Sequence, residues 1–173
     1  MPAARQALLA AYAELALGRR QRGFGVAAII RAAKVARSTF YYHFADKDDL
    51  LLHNLLPLID ALGGMPCARE PSKELESWVA HIWEQRGAAG RILSGAAGRK
   101  IEAALVARLK EALKVGAPAA RDRWKSPLQA EQIAGASLSL LRAWVDHRVT
   151  ASVDEMAKTL WRGARSIAVG PGD

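Results

Sequence analysis

Apolar residues recur at helical spacing along nearly the whole chain, and no convincing strand pattern interrupts them. Leu8, Leu9, Tyr12, Leu15 and Ala16 predict an amphipathic helix over residues 3–18, ended by Gly18. Val26, Ile29, Ile30 and Ala33 form the inner stripe of a short helix at 26–33, and RSTFYYHF predicts another at 37–44. Asp46 is suited to N-cap a helix from Lys47 onward, with Asp48 and Asp49 in its positive first turn. That helix carries Leu50, Leu51, Leu52, Leu55, Leu56, Leu58 and Ile59; Pro57 kinks it or marks its last turns, and GGMP at 63–66 reads as a break.

The second half continues the pattern. Residues 71–86, opened by Pro71 and Ser72, carry Leu75, Trp78, Val79, Ile82 and Trp83. A glycine-rich stretch at 87–98 holds one short helix, and Ile101, Leu105, Leu109 and Leu113, four apart, predict a long one over about 99–114. Pro127 opens a helix through LQAEQIAGASLSLLRAWVDHR. Ser152 and Glu155 have the capping-box spacing for a last helix that turns Val153, Met156, Leu160, Ala164 and Ile167 inward. The fold class is therefore all-α, with about nine helices.

Composition adds a partner. The 173 residues are 51% hydrophobic, enough for a packed core, and carry a net charge of +8. An excess of that size points to a polyanion, either nucleic acid or an anionic membrane surface. Its location narrows the choice. Residues 1–47 hold eight cations (Arg5, Arg19, Arg20, Arg22, Arg31, Lys34, Arg37 and Lys47) against Glu14 and Asp46, a balance of +6. Residues 48–173 carry +2. The chain thus reads as a basic unit, 1–47, and a nearly neutral larger one, 48–173.

Other chemistries find little support. Cys67 is the single cysteine, and His43, His53, His81 and His147 make no ligand pair, so neither a disulfide framework nor a metal centre is expected. The glycine-rich GRRQRGFG and SGAAGRK lack phosphate-loop spacing and a preceding strand, so no enzyme and no cofactor are expected. No apolar run is long enough to cross a membrane, and the N-terminal stretch is helical in period rather than a signal peptide, which makes the cytoplasm the expected location. The cations surround short helices instead of lining one amphipathic face, which disfavours a membrane-surface role.

Three short helices within about 45 residues, the last two joined by a tight turn, match the helix-turn-helix plan, in which the third presents its exposed face to the major groove. Phe40 and Phe44, four apart, are expected in the core; Arg37, Ser38, Thr39, Tyr41, Tyr42 and His43 supply polar tips. The stretch IIRAAKVARSTFYYHFADKDDLL, residues 29–51, resembles the DNA-binding signature of the TetR (tetracycline-repressor-like) family of bacterial transcription regulators, and the match extends over residues 3 to about 52. The resemblance implies that Arg37, Ser38 and Tyr41 face base edges, that Thr39, Tyr42, His43 and Lys47 hold phosphates, and that Val35, Phe40 and Phe44 are core. Two departures stand out. Gly25 and Val26 replace the Thr or Ser common at the start of the second helix, and Lys34 replaces the usual turn glycine, at a cost of about 1 kcal/mol if the turn needs positive φ.

The larger unit resembles the family only in architecture: a helical effector-binding and dimerisation domain. The resemblance implies a repressor, a homodimer released from a palindromic double-stranded operator by a small, hydrophobic effector; the alternative is a regulator without a small-molecule effector, partner-controlled or an activator. Leu138, Leu141, Trp144 and Val145, with Met156, Leu160 and Ala164, are the expected dimer interface, or else protomer core. Trp78, His81, Trp83 and Trp124 are the candidate effector-pocket residues, with Tyr12 and Cys67 also considered; ordinary core packing is the competing reading for the tryptophans.

Overall fold

The computed structural model describes residues 2–17, 24–115 and 125–169, and the chain divides into two compact units, Met1–Leu56 and Pro57–Asp173. Among the described residues there are ten α-helices and no strand. All five tryptophans fall in the second unit, and all three tyrosines and three phenylalanines in the first.

The first unit holds α1 (Pro2–Leu17), α2 (Val26–Ala33), α3 (Arg37–His43) and α4 (Lys47–Asn54). Its core is small: Leu8, Ala11 and Tyr12 of α1 meet Ile29, Phe40, Phe44, Leu50 and Leu51. Each of these larger side chains contributes roughly 1.5–3 kcal/mol by leaving water. The charge boundary at residue 47 marks the start of α4, and the compact unit runs one helix further because α4 packs against α1. Two carboxylates cap that start reciprocally. Asp46 Oδ1 accepts the Asp49 N–H at 2.7 Å, and Asp49 Oδ2 accepts the Ala45 N–H at 3.0 Å.

One expected element divides in two. The leucine-rich helix from Lys47 stops at Leu55, whose N–H donates to both Leu51 and Leu52 carbonyls, and restarts as α5 (Leu56–Gly64). Pro57 is the reason: it has no N–H to continue the ladder, whereas in the first turn of a new helix that N–H is not needed.

The second unit continues with a 3-10 turn (Met65–Cys67), α6 (Lys73–Glu84), α7 (Arg86–Ser94), α8 (Ala96–Val115), α9 (Lys125–Val145) and α10 (Val153–Val169). α9 lies at its centre, packed against α7, α8 and α10. The GGMP segment does not break the chain where expected, since α5 runs through both glycines. Gly63 is small for a reason: a Cβ there would meet Arg108 Cγ at 2.5 Å, and the Arg108 Nε donates to Asp60 at 2.7 Å. At the elbow between α7 and α8, a Cβ on Gly98 would collide with the Leu93 carbonyl oxygen, so only glycine lets the two helices turn so tightly.

α9 and α10 form an antiparallel pair fastened at both ends. Gln129 Nε2 donates to the Ile167 and Ala168 carbonyls at 2.9 and 3.0 Å, satisfying acceptors that the end of α10 leaves open. At the other end the Trp144 Nε1 donates to Ala151 O at 2.9 Å. The expected Ser152–Glu155 capping box is formed, with the Glu155 N–H on Ser152 Oγ at 3.2 Å and the Ser152 N–H on Glu155 Oε2 at 2.7 Å. The Ser152 N–H, and then its hydroxyl, hold the Glu155 carboxyl below its ordinary value.

Candidate nucleic-acid interface

α3 is seven residues long, and its two faces separate cleanly. Phe40 and Phe44 are buried, while Arg37, Ser38, Tyr41 and Tyr42 are exposed; Tyr42 is 76% and Tyr41 48% exposed, unusual for such large rings. A short helix offers few turns for anchoring, so the two phenylalanines carry the docking of the whole element. They touch at 6.0 Å between centroids, and the Arg5 guanidinium lies 5.8 Å over Phe44.

Arg37 opens the exposed face. Its guanidinium sits 5.5 Å over the Tyr41 ring, and Nη2 donates to the Tyr41 hydroxyl at 3.5 Å. Thr39 is half-buried. His43 is also half-buried, and its Nε2 is enclosed without a hydrogen-bond partner. Tyr42 packs edge-on to His43 at 4.9 Å. Lys47 is tied back: Nζ donates to Phe24 O at 3.3 Å and lies 5.4 Å over the Phe24 ring. That places its ammonium beside the residue preceding Gly25, the N-cap of α2, which has no side chain to cap with. Phe24 in turn packs edge-on to Tyr12 at 5.2 Å. Burial, helped by the Asp48 charge, pushes the Tyr12 hydroxyl up to about 12.

The turn between α2 and α3 does need positive φ. Lys34 has φ 53 and ψ 42; its N–H donates to Arg31 O, and the Val35 N–H reaches back to Ile30 O at 3.2 Å. This is the helix-ending motif that usually employs glycine. With Arg31 and Arg37, Lys34 places three exposed cations around the turn. Arg19, Arg20 and Arg22, counted in the basic excess, lie outside the described residues.

The candidate effector residues are not brought together. Trp83 stacks on Trp144 at 4.6 Å and 23°, with His147 edge-on at 5.6 Å and the Arg86 guanidinium 5.1 Å above it. Trp78 lies on another face of α6 and meets the exposed His81 at 5.8 Å. Positions 78 and 83 are five apart, which turns them to different sides of a helix. Trp124 lies outside the described residues. Cys67 is exposed, its thiol 3.7 Å from Ala112 O, and no group of three acidic, His or Cys side chains able to hold a metal occurs among the described residues.

The expected dimer residues follow the core alternative. Leu138, Leu141, Trp144, Val145, Met156, Leu160 and Ala164 are all buried within one protomer. They are the stripe by which α9 and α10 pack inward. The opposite faces carry Leu128, Gln132, Ala136 and Ser139 on α9, and Thr159, Gly163, Ser166 and Val169 on α10, all exposed. Leu128 and Val169 are 57% and 49% exposed.

Residues 8–53 match the family model for bacterial regulatory proteins of the tetR family. A TetR transcriptional regulator from Rhodococcus sp. RHA1 has a similar fold, with a TM-score of 0.64 at 16% identity over 99% of this chain and 98% of that one. No curated protein matches the sequence. No single helix among the described residues is long and apolar enough to cross a membrane.

Proposed function

We propose that this chain, whose residues 8–53 match the model of the tetR family of bacterial regulatory proteins, is a DNA-binding transcription regulator, and more finely a homodimeric repressor of a palindromic operator. The observation that carries this is α3: an exposed row of Arg37, Ser38, Tyr41 and Tyr42 mounted on buried Phe40 and Phe44, beside exposed Arg31 and Lys34. Arginine reads guanine through its planar fork, Tyr42, Thr39 and His43 suit phosphates, and Lys47 brings a cation beside the start of α2. Selection of bound duplexes from a random library tests it. The expected product is an inverted repeat bound with a steep salt dependence; binding without sequence preference would refute it.

Two half-sites need two copies of α3, about 34 Å or a multiple apart. The exposed small-residue faces of α9 and α10 suit that pairing, since small side chains let helices approach closely and a paired hairpin yields a four-helix contact. Added Cβ atoms at Gly135 and Gly163 would meet nothing within 4 Å inside the protomer. Gly163→Arg is therefore expected to leave the protomer folded and shift sedimentation from dimer to monomer. A dimer that survives it would move the interface elsewhere.

Release by a small hydrophobic effector is the expected control. A second reading, control without a small molecule, gains from the Trp83–Trp144 stack: these rings fill each other's apolar surface and leave the candidate residues unassembled. Operator binding by protein exposed to extracts of small metabolites separates the two.

A further inference from the structure

We infer that Arg37 and Tyr41 act on DNA as one unit, in which Tyr41 is a positioning residue that presents the Arg37 guanidinium to a guanine. The inference rests on the DNA-binding reading above. Three contacts connect the protein core to this fork. Phe40 is fully buried. The Tyr41 ring stands edge-on to it, 5.2 Å between centroids at 81°. The guanidinium lies 5.5 Å over that ring, with Nη2 at 3.5 Å from the hydroxyl. Positions 37 and 41 are one helical turn apart, which is the spacing that lets them touch.

The arrangement matters because both residues are exposed and α3 carries no acidic residue to hold Arg37 by charge. A free arginine must surrender most of its rotamer freedom to make a two-pronged contact with guanine O6 and N7. Over an aromatic face, part of that freedom is already gone before DNA arrives, and the cation is held by the ring's π face without neutralising its charge. The hydrogen bond to the hydroxyl is long and engages one of five N–H donors, so the fork keeps its donors for the base. The ring face is the main restraint and the hydroxyl a minor one. Tyr41 therefore governs how sharply Arg37 discriminates.

The test uses the full chain and the operator selected by the wild-type protein, with affinities measured for every single-base-pair variant of one half-site and for random duplex. Arg37→Ala is expected to erase discrimination of about 5- to 150-fold at one G·C pair. Tyr41→Leu should lose most of the discrimination at that same pair, the double variant should be no worse than Arg37→Ala alone, and Tyr41→Phe should stay within about twofold of wild type. Thermal melts of every variant followed by circular dichroism should match the wild type, since both side chains are exposed, an outcome that a general loss of folding would not give. The proposal is overturned if Tyr41→Leu leaves that pair's discrimination intact, if the Arg37 and Tyr41 losses multiply, or if Tyr41→Phe is as damaging as Tyr41→Leu. Failure of the wild-type chain to select any operator would instead overturn the DNA-binding reading itself.

Discussion

The two units use aromatic residues in opposite ways. In Met1–Leu56 two of the three tyrosines stand in solvent on a short helix, while the phenylalanines beside them fix that helix to the core. In Pro57–Asp173 the largest buried ring, Trp144, is fully enclosed and stacked on Trp83. An enclosed ring contributes stability, and an exposed one is left free to contact a partner. The difference shows why side-chain type alone assigns a role in the first unit and fails to in the second.

The sharpest way to break the comparison is to truncate one ring of each kind. Trp144→Ala is expected to cost about 3–5 kcal/mol in chemical denaturation, because the cavity it leaves lies among close-packed helices. Tyr42→Ala should stay within about 0.5 kcal/mol of wild type in the same assay while weakening operator binding. A stable Trp144→Ala protein would show that the second unit is looser than its packing implies.

The next effects concern a backbone elbow and a titration. Gly98→Ala should destabilise the second unit by on the order of 2 kcal/mol, since the new methyl collides with the backbone oxygen of Leu93. The first unit has its own weakness, in alkali. The Tyr12 hydroxyl is pushed up to about 12 in the folded chain, against about 10 when unfolded, so between these values the unfolded chain releases the proton first. Stability that is complete below pH 10 is lost as pH rises toward 12, by on the order of 2 kcal/mol. Tyr12→Phe should flatten that alkaline limb in circular-dichroism melts, and an unchanged limb would remove Tyr12 as its source.

The smallest effects compare two matching turns. Lys34 ends α2 and His147 ends α9 in the left-handed region, with φ 53 and 57 and the same pattern of returning hydrogen bonds. Glycine at either position should raise stability by about 0.5–1 kcal/mol. Only Lys34→Gly is expected to reduce operator affinity and the salt slope by about one ion, since Lys34 alone sits on the basic turn. Equal binding by both variants would confine Lys34 to a structural part.

Much of this was legible in the sequence because it depends on residues close together in the chain. The helical periods, the Asp46 and Ser152 caps and the inward Phe40–Phe44 pair follow from spacings of three or four. The motif between residues 29 and 51 is local in the same sense. The division at Pro57 was signalled but left between a kink and an ending; the ladder around Leu55 decided it. What depended on partners distant in the chain was less legible. Gln129 meeting Ile167, Trp83 meeting Trp144 and the outward turn of Gly163 are products of how helices pair, and a buried stripe looks the same in sequence whether it faces its own protomer or another.

The stacked tryptophans also give the molecule an optical label. Two indoles 4.6 Å apart and 23° from parallel couple their transitions, and no tryptophan lies in Met1–Leu56. Indole emission therefore reports Pro57–Asp173 alone, while every tyrosine belongs to Met1–Leu56. In one unmodified sample, a change around the indoles can thus be assigned to one side of Pro57 without an added label.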